Sequence, residues 1–421
     1  MSTAKNPSER RPKVWWSNAI FFLSIHFAAF YGIYRRPYWT VSTPSLLLAL
    51  VIWQLSCFGI TVGYHRLYSH RAFRATLPIR IVLAALGAMG FQGSIKWWCL
   101  RHRLHHRFTD DPVHDPYAAS RGLFFSHMGW IFFKPKYEKL DEVDKDDLDN
   151  DPVVTFQHTY YVPIAIALGF VMPWLFGALW GDATGSFIWG GLVSRLAIWH
   201  CTFCVNSLAH WEGLQPYTDE NTSRGNVILA ILTCGEGNHN FHAFPHDFRS
   251  GPSKLDWDPS KWIIVALDKL GLAHELNRAR DKDIQSALSW MKSKHHHDAQ
   301  SSSSSSESSS GTSDEGEDSE TTDELPLWTE RELSEYVGEG KTRRCVLVIN
   351  ERVVDVSVYL NEHPGGPTLL RKYAYKPPGD SKDIGRNATW AFMGGMNKHS
   401  RAANRRLQEI TVARMAEASQ L

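Results

Sequence analysis

The sequence predicts a mostly α-helical membrane protein: four membrane-spanning helices under a cytosolic helical cap, with a small α+β domain behind them. Three observations carry this. Four stretches in the first half are apolar over the length needed to cross a bilayer, about 20 residues. Histidines gather in short clusters in the polar segments that follow those stretches. A serine-acid tract then separates this half from a segment of mixed composition that contains a strand-like run. The chain has 421 residues, enough for two or three units at roughly 100–200 residues each. Its formal net charge of +1 offers no basic surplus for nucleic acid.

Residues 1–14 form a polar, basic tail without the apolar core of a secretory signal. The spans are expected at 15–34, 44–64, 160–180 and 183–205. Pro163 and Pro173 do not exclude the third, because membrane helices tolerate proline. The apolar run Ile79 to Phe91 is too short to span and reads as an interfacial or buried helix. The turns inside each pair of spans are short, so the spans form hairpins and everything else faces one side. Lys5, Arg10, Arg11 and Lys13 before the first span, and eight Arg or Lys between Arg66 and Arg107, make that side cytosolic, with both termini on it. Arg35 and Arg36 in the first turn run against this rule. The six cysteines are scattered, and Cys201 and Cys204 read as reduced thiols packed in a helix.

The histidines converge on the cytosolic face. His65 and His70 follow the second span, and His102, His105 and His106 lie in the loop beyond. His210 ends the fourth span, and His239 and His242 come next. Spacings of three and four put the middle set on one helix face, and His239 and His242 also share a face. A single histidine near a membrane surface is an ordinary interfacial residue. Eight in three clusters plus one point to ligands of iron, copper or zinc. His26 and His200, inside spans, belong to no cluster and are expected to be packed or paired within the bundle.

These motifs, HRLYSH, HRLHH and HNFH with NSLAH between the last two, resemble those of membrane-bound acyl-CoA desaturases of the delta-9 (stearoyl-CoA) type. GSIKWW, RGLFFSHMGW and TFCVNSLAH extend the likeness, which assigns residues 15–290 to a desaturase domain. It implies that His65, His70, His102, His105, His106, His210, His239 and His242 hold two iron ions, with Asn206 reaching one through water. It also implies O2-dependent insertion of a cis double bond into palmitoyl-CoA or stearoyl-CoA. Gln92, Trp98 and Thr202 would line the acyl entrance and bend. Trp53 and Cys57 would stand near the blind end, where their bulk either shortens the tunnel in favour of palmitoyl-CoA or is ordinary helix packing.

The chain departs from the family in GEGNHNFHAFPHDF. The family pattern has a histidine directly after His242. Here Ala243 stands there, and Phe244 and Pro245 follow one residue early, leaving eight histidines where nine are expected. His246 is seven residues beyond His239, but Pro245 ends the register, so His246 reads as an exposed loop residue. The resemblance then implies one weakly held iron and reduced activity.

Residues 291–324, with their serine-acid composition, cannot bury a core and read as a flexible linker. Residues 325–415 carry VVDVSVYLNEHPGG and GGMNKHSRAA, which resemble cytochrome b5. The likeness implies haem b held by His363 and His399, a bis-histidine site with no open position and hence an electron carrier. The stretch YKPPGDSKDI lengthens the segment between the two histidines and is expected to be a surface loop. Fusion of the two halves resembles the fungal delta-9 desaturases. It implies an endoplasmic reticulum membrane protein in contact with lipid, fed by NADH-cytochrome b5 reductase. The competing readings are a membrane-tethered electron carrier with a metal-poor desaturase half, and a related hydroxylase or desaturase of other regiochemistry.

Overall fold

A computed structural model describes residues 13–303, 325–338, 343–360, 362–377, 387–394 and 399–416. The chain divides into two compact units, Met1–Ala279 and Arg280–Leu421.

Among its described residues the first unit holds four helices long and apolar enough to cross a membrane: α1 (Trp16–Arg35), α2 (Thr43–Ser69), α6 (Tyr161–Leu179) and α7 (Ala183–His210). Between α2 and α6 lie α3 (Leu77–Met89), α4 (Ile95–Arg107) and the short α5 (Leu123–His127). The second and fourth spans run a turn or more beyond their expected ends, because the polar residues that close them are buried against the cap rather than exposed. Leu23, Phe27 and Phe30 are exposed on α1, as side chains that face lipid must be. The Ile79 to Phe91 run forms α3, packed against α2. Gly59 and Gly87 allow this approach: a Cβ on Gly59 would collide with the Gly87 backbone, and one on Gly87 with the Tyr64 ring.

At the turn end of the hairpins, Asp182 gathers the two pairs. Its carboxylate accepts from Arg36 Nη2 at 2.8 Å, and from Ser42 N and Ser45 Oγ at 2.9 Å. Arg36 is therefore a paired side chain rather than a free charge. All six cysteines are free, Cys201 and Cys204 among them.

The second unit opens with α8 (Asp281–Ser303), so the first part of the stretch read as a linker is helical. Glu409 holds its start, taking ion pairs from Lys282 Nζ at 2.8 Å and Arg280 Nη1 at 2.6 Å. Arg401 stacks over Trp290, 4.7 Å from its centroid. Residues 304–324 lie outside the described residues, as do 1–12 of the tail and 378–384 of the expected loop. A four-stranded sheet follows, in the order β1 (Leu327–Trp328), β4 (Thr411–Met415), β3 (Arg352–Asp355), β2 (Val346–Ile349). Of its pairs, β1–β4 is parallel and the others antiparallel. Alternation divides the strands between two small cores: Val346 and Val353 pack with Leu333 and Val337, while Leu347 and Val354 pack with Leu370 and Leu407.

Candidate metal centre

Helix α2 changes winding on its way out of the apolar layer. From Gly59 to Ser69 its turns are of π type, and His70 N closes the last by bonding His65 O at 3.0 Å. Such wide turns concentrate at functional sites. Here they bring the His65 and His70 rings to 4.6 Å. Helix α4 starts at Ser94, whose hydroxyl accepts from Trp97 N, and it delivers His102 and His106 one turn apart. His242 arrives from the 3-10 turn His239–Ala243.

The imidazoles sort into two groups. In the first, ligand nitrogens of His65, His70, His102 and His242 all lie within 4.8 Å of one another. His70 Nε2 is 2.7 Å from His102 Nε2, and His65 Nε2 is 3.1 Å from His242 Nε2. His106 flanks this group, its Nε2 3.1 Å from His102 Nε2. The second group is His105, His210 and His239, again within 4.8 Å. His210 Nε2 is buried there without a hydrogen-bond partner. Nitrogens packed so closely, with His210 Nε2 left unbonded, are a donor set that suits a first-row metal ion.

Carboxylates hold the rings from behind. Asp115 takes His105 Nδ1 at 2.9 Å on either oxygen. His210 Nδ1 lies 2.9 Å from Thr222 Oγ1, which in turn donates to Asp110 at 2.8 Å. Glu236 stands 3.2 Å from His65 Nδ1, which makes no hydrogen bond among the described residues, and pairs with Arg66, which also pairs with Asp258 at 3.0 Å. Asp115 and Thr222 direct the opposite nitrogens of His105 and His210 at the metal position.

Electrostatics favour neutral rings. Burial first, and neighbouring imidazoles second, push His70, His102, His106, His239 and His242 well below the ordinary histidine range. Burial lowers His105 too, but Asp115 outweighs it and carries His105 above its ordinary value. Burial raises Glu236, yet Arg66 holds its carboxyl at about 2. The five lowered rings present lone pairs ready for a cation.

All eight histidines named from the sequence thus come together, in an arrangement their spacing did not reveal. His102 and His106 serve one group and His105 the other, although one helix carries all three. His239 and His242 also part company. His246 is half-buried rather than exposed, and lies in neither group. Asn206 ends the α-helical part of α7, four residues before His210. The second row of Asp110, Asp115, Thr222 and Glu236 was missed. Only the acid-rich run TDDPVHD directly after the histidine helix hinted at part of it.

The expected acyl-lining residues lie beside the site or beneath it. Trp98 stacks on His102, centroids 4.8 Å apart. Gln92 Nε2 donates to Thr202 Oγ1 at 2.8 Å, joining the end of α3 to α7. Cys57 is buried with Trp199 and Ile198, and Trp53 packs against that cluster. His26 and His200 are paired, Nε2 to Nε2 at 3.0 Å.

In the second unit, Gly365 lets the chain close over His363, since a Cβ there would sit 2.8 Å from its ring. His399 stacks on Phe392 and donates Nδ1–H to the Phe392 carbonyl at 2.9 Å, which leaves Nε2 as its lone-pair atom. Both histidines suit axial ligation of a haem.

Comparison with known proteins agrees with this division. Residues 37–246 match the family Fatty acid desaturase, and residues 329–416 match Cytochrome b5-like Heme/Steroid binding domain. The chain is 38% identical over 400 residues to a "Probable acyl-CoA desaturase" of Schizosaccharomyces pombe, covering 94% of this chain and 77% of that one. It is 36% identical over 373 residues to "Acyl-CoA desaturase 1" of Saccharomyces cerevisiae, covering 88% and 68%. A Caenorhabditis elegans "Delta(9)-fatty-acid desaturase fat-6" is 34% identical over 284 residues, covering 66% and 83%.

Proposed function

Because the chain belongs to the membrane fatty acid desaturases and carries a cytochrome b5-like domain behind the desaturase unit, we propose that it converts palmitoyl-CoA and stearoyl-CoA to their cis delta-9 unsaturated products. The observation that carries this is the pair of buried histidine groups at the mouth of four membrane-length helices. The reaction consumes one O2, two electrons and two protons, removes two hydrogens from the acyl chain and releases two waters. Two irons bound there would supply the O2 activation that no side chain can perform.

The chain's own residues position and shelter. Asp115 and Thr222 fix the tautomers of His105 and His210. Trp98 roofs the first group, and the Gln92–Thr202 bond sets the bend of the acyl path. Trp53 and Cys57 are its blind end, and their bulk favours the shorter acyl chain. His363 and His399 would hold haem b, which would supply one-electron transfer to the desaturase unit from NADH by way of a cytochrome b5 reductase. Both termini stand in the cytosol, and the membrane is that of the endoplasmic reticulum.

The departure at Ala243 bears on one group more than the other. His242, the last histidine available, joins the His65 group, so the His105–His210–His239 group has three imidazoles. We read that group as the weakly held iron, with Asn206 reaching it through water. The same asymmetry favours the competing reading, an electron carrier with an impaired desaturase half. Expression in a desaturase-deficient yeast decides between them. Appearance of palmitoleate or oleate supports the desaturase, and haem without product supports the carrier.

A further inference from the structure

A line of hydrogen bonds runs through the membrane unit apart from the two ligand groups. His26 Nδ1 lies 2.7 Å from the Phe22 carbonyl. His26 Nε2 meets His200 Nε2 at 3.0 Å, His200 Nδ1 meets His127 Nε2 at 2.9 Å, and His127 Nδ1 meets Ser207 Oγ at 3.0 Å. The line joins α1, α7 and α5, three elements far apart in sequence.

Its polarity follows from one end. A carbonyl only accepts, so His26 carries its hydrogen on Nδ1 and accepts at Nε2. His200 then donates from Nε2 and accepts at Nδ1, and His127 donates from Nε2. Ser207 Oγ lies 3.0 Å from His127 Nδ1 and also donates to the Phe203 carbonyl at 2.8 Å, so its one hydrogen is shared between that carbonyl and the ring. Position 127 therefore bridges His200 Nδ1 and the Ser207 hydroxyl.

The line ends where the site begins. Ser207 is buried at the break between the α-helical part of α7, which stops at Asn206, and the 3-10 turn Leu208–His210. Its backbone is at φ −120° and ψ −73°, and its carbonyl accepts from His210 N at 3.0 Å. Through this break His210 swings to His105 and His239. Polar side chains at membrane depth are costly to keep and are seldom idle.

We propose that His127 is a positioning residue of the metal centre. It fixes Ser207, and through Ser207 the turn that presents His210, with His200 and His26 as its anchor in the bundle. This rests on the reading of His105, His210 and His239 as metal ligands.

The test uses the full chain purified in detergent, loaded with cobalt(II), whose visible absorption reports ligand geometry. His127→Phe and Ser207→Ala are expected to weaken the less tightly held cobalt by about tenfold or more, as partners behind a ligand do. The tightly held cobalt and its spectrum should be unchanged. His127→Gln, which can both donate and accept, is expected to restore the native titration. Native-like loading in both His127→Phe and Ser207→Ala overturns the proposal, as does equal loss of both cobalts or a His127→Gln variant no better than His127→Phe. Failure of the unaltered protein to bind any cobalt overturns the metal reading itself and this proposal with it.

Discussion

Asp115 grips His105 by Nδ1, with both carboxylate oxygens at 2.9 Å, so the Nε2 lone pair of His105 points at His210 and His239. Asp115 is itself buried, and it also accepts from Asp110 N and Tyr117 N, which hold its carboxylate plane. A ligand in a three-imidazole group has few neighbours to compensate for a lost orientation. Asp115→Asn is expected to lower metal affinity of that group by roughly 10–100-fold while leaving the His65 group loaded. Metal titration followed by absorption would show it, and equal loss from both groups would contradict it.

Ala243 is the last residue of the turn that carries both His239 and His242. Insertion of a histidine after His242 should restore a ninth ligand, raise iron content and raise turnover. Iron analysis of purified protein beside product formation checks both halves. An inserted protein with unchanged iron content would show that the eight-histidine set is already sufficient.

Trp53 and Cys57 are one helical turn apart on α2, and Cys57 is buried in the cluster of Trp199 and Ile198. Trp53→Tyr with Cys57→Gly removes bulk from the far end of the acyl path. The product ratio is expected to move toward 18 carbons, read by fatty-acid analysis of the expressing host. An unchanged ratio would mean that the two residues only pack helices.

Glu409 anchors the start of α8 through Lys282 and Arg280. Slight burial raises its carboxyl, but the ion pairs with Lys282, Arg280 and Arg406 win and hold it at about 2, below the ordinary 4.5. A depressed carboxylate stabilises above its ordinary value and loses that contribution as pH falls from about 4.5 toward 2. Amide protection at the start of α8 should fall through that window, and modestly, because the pairs are partly exposed. Glu409→Gln should flatten the dependence, and an identical pH profile in this variant would contradict the assignment.

The spans, the hairpin pairing and the histidine set were legible because each rests on local composition. Length and apolarity mark α1, α2, α6 and α7, and tight spacing marks the clusters. What stayed hidden depends on contacts between distant segments. Spacing of three and four places His102, His105 and His106 on one broad face, but only the arrival of His242 and His210 from elsewhere divides that face in two. The widened turns before His70 have no signature in GITVGYHRLYS. Helix α8 escaped because its polar sequence promised no core, while its fixed start comes from Glu409, more than a hundred residues on.

The central claim is a desaturase with two unequal irons, one in the His65 group and one in the three-histidine group. Mössbauer spectroscopy of the 57Fe-loaded protein, before and after mild chelation, tests it most directly. The account predicts two distinguishable iron signals per chain besides haem, of which one is lost on chelation. Two equivalent irons that both resist chelation, or haem iron alone, would contradict it.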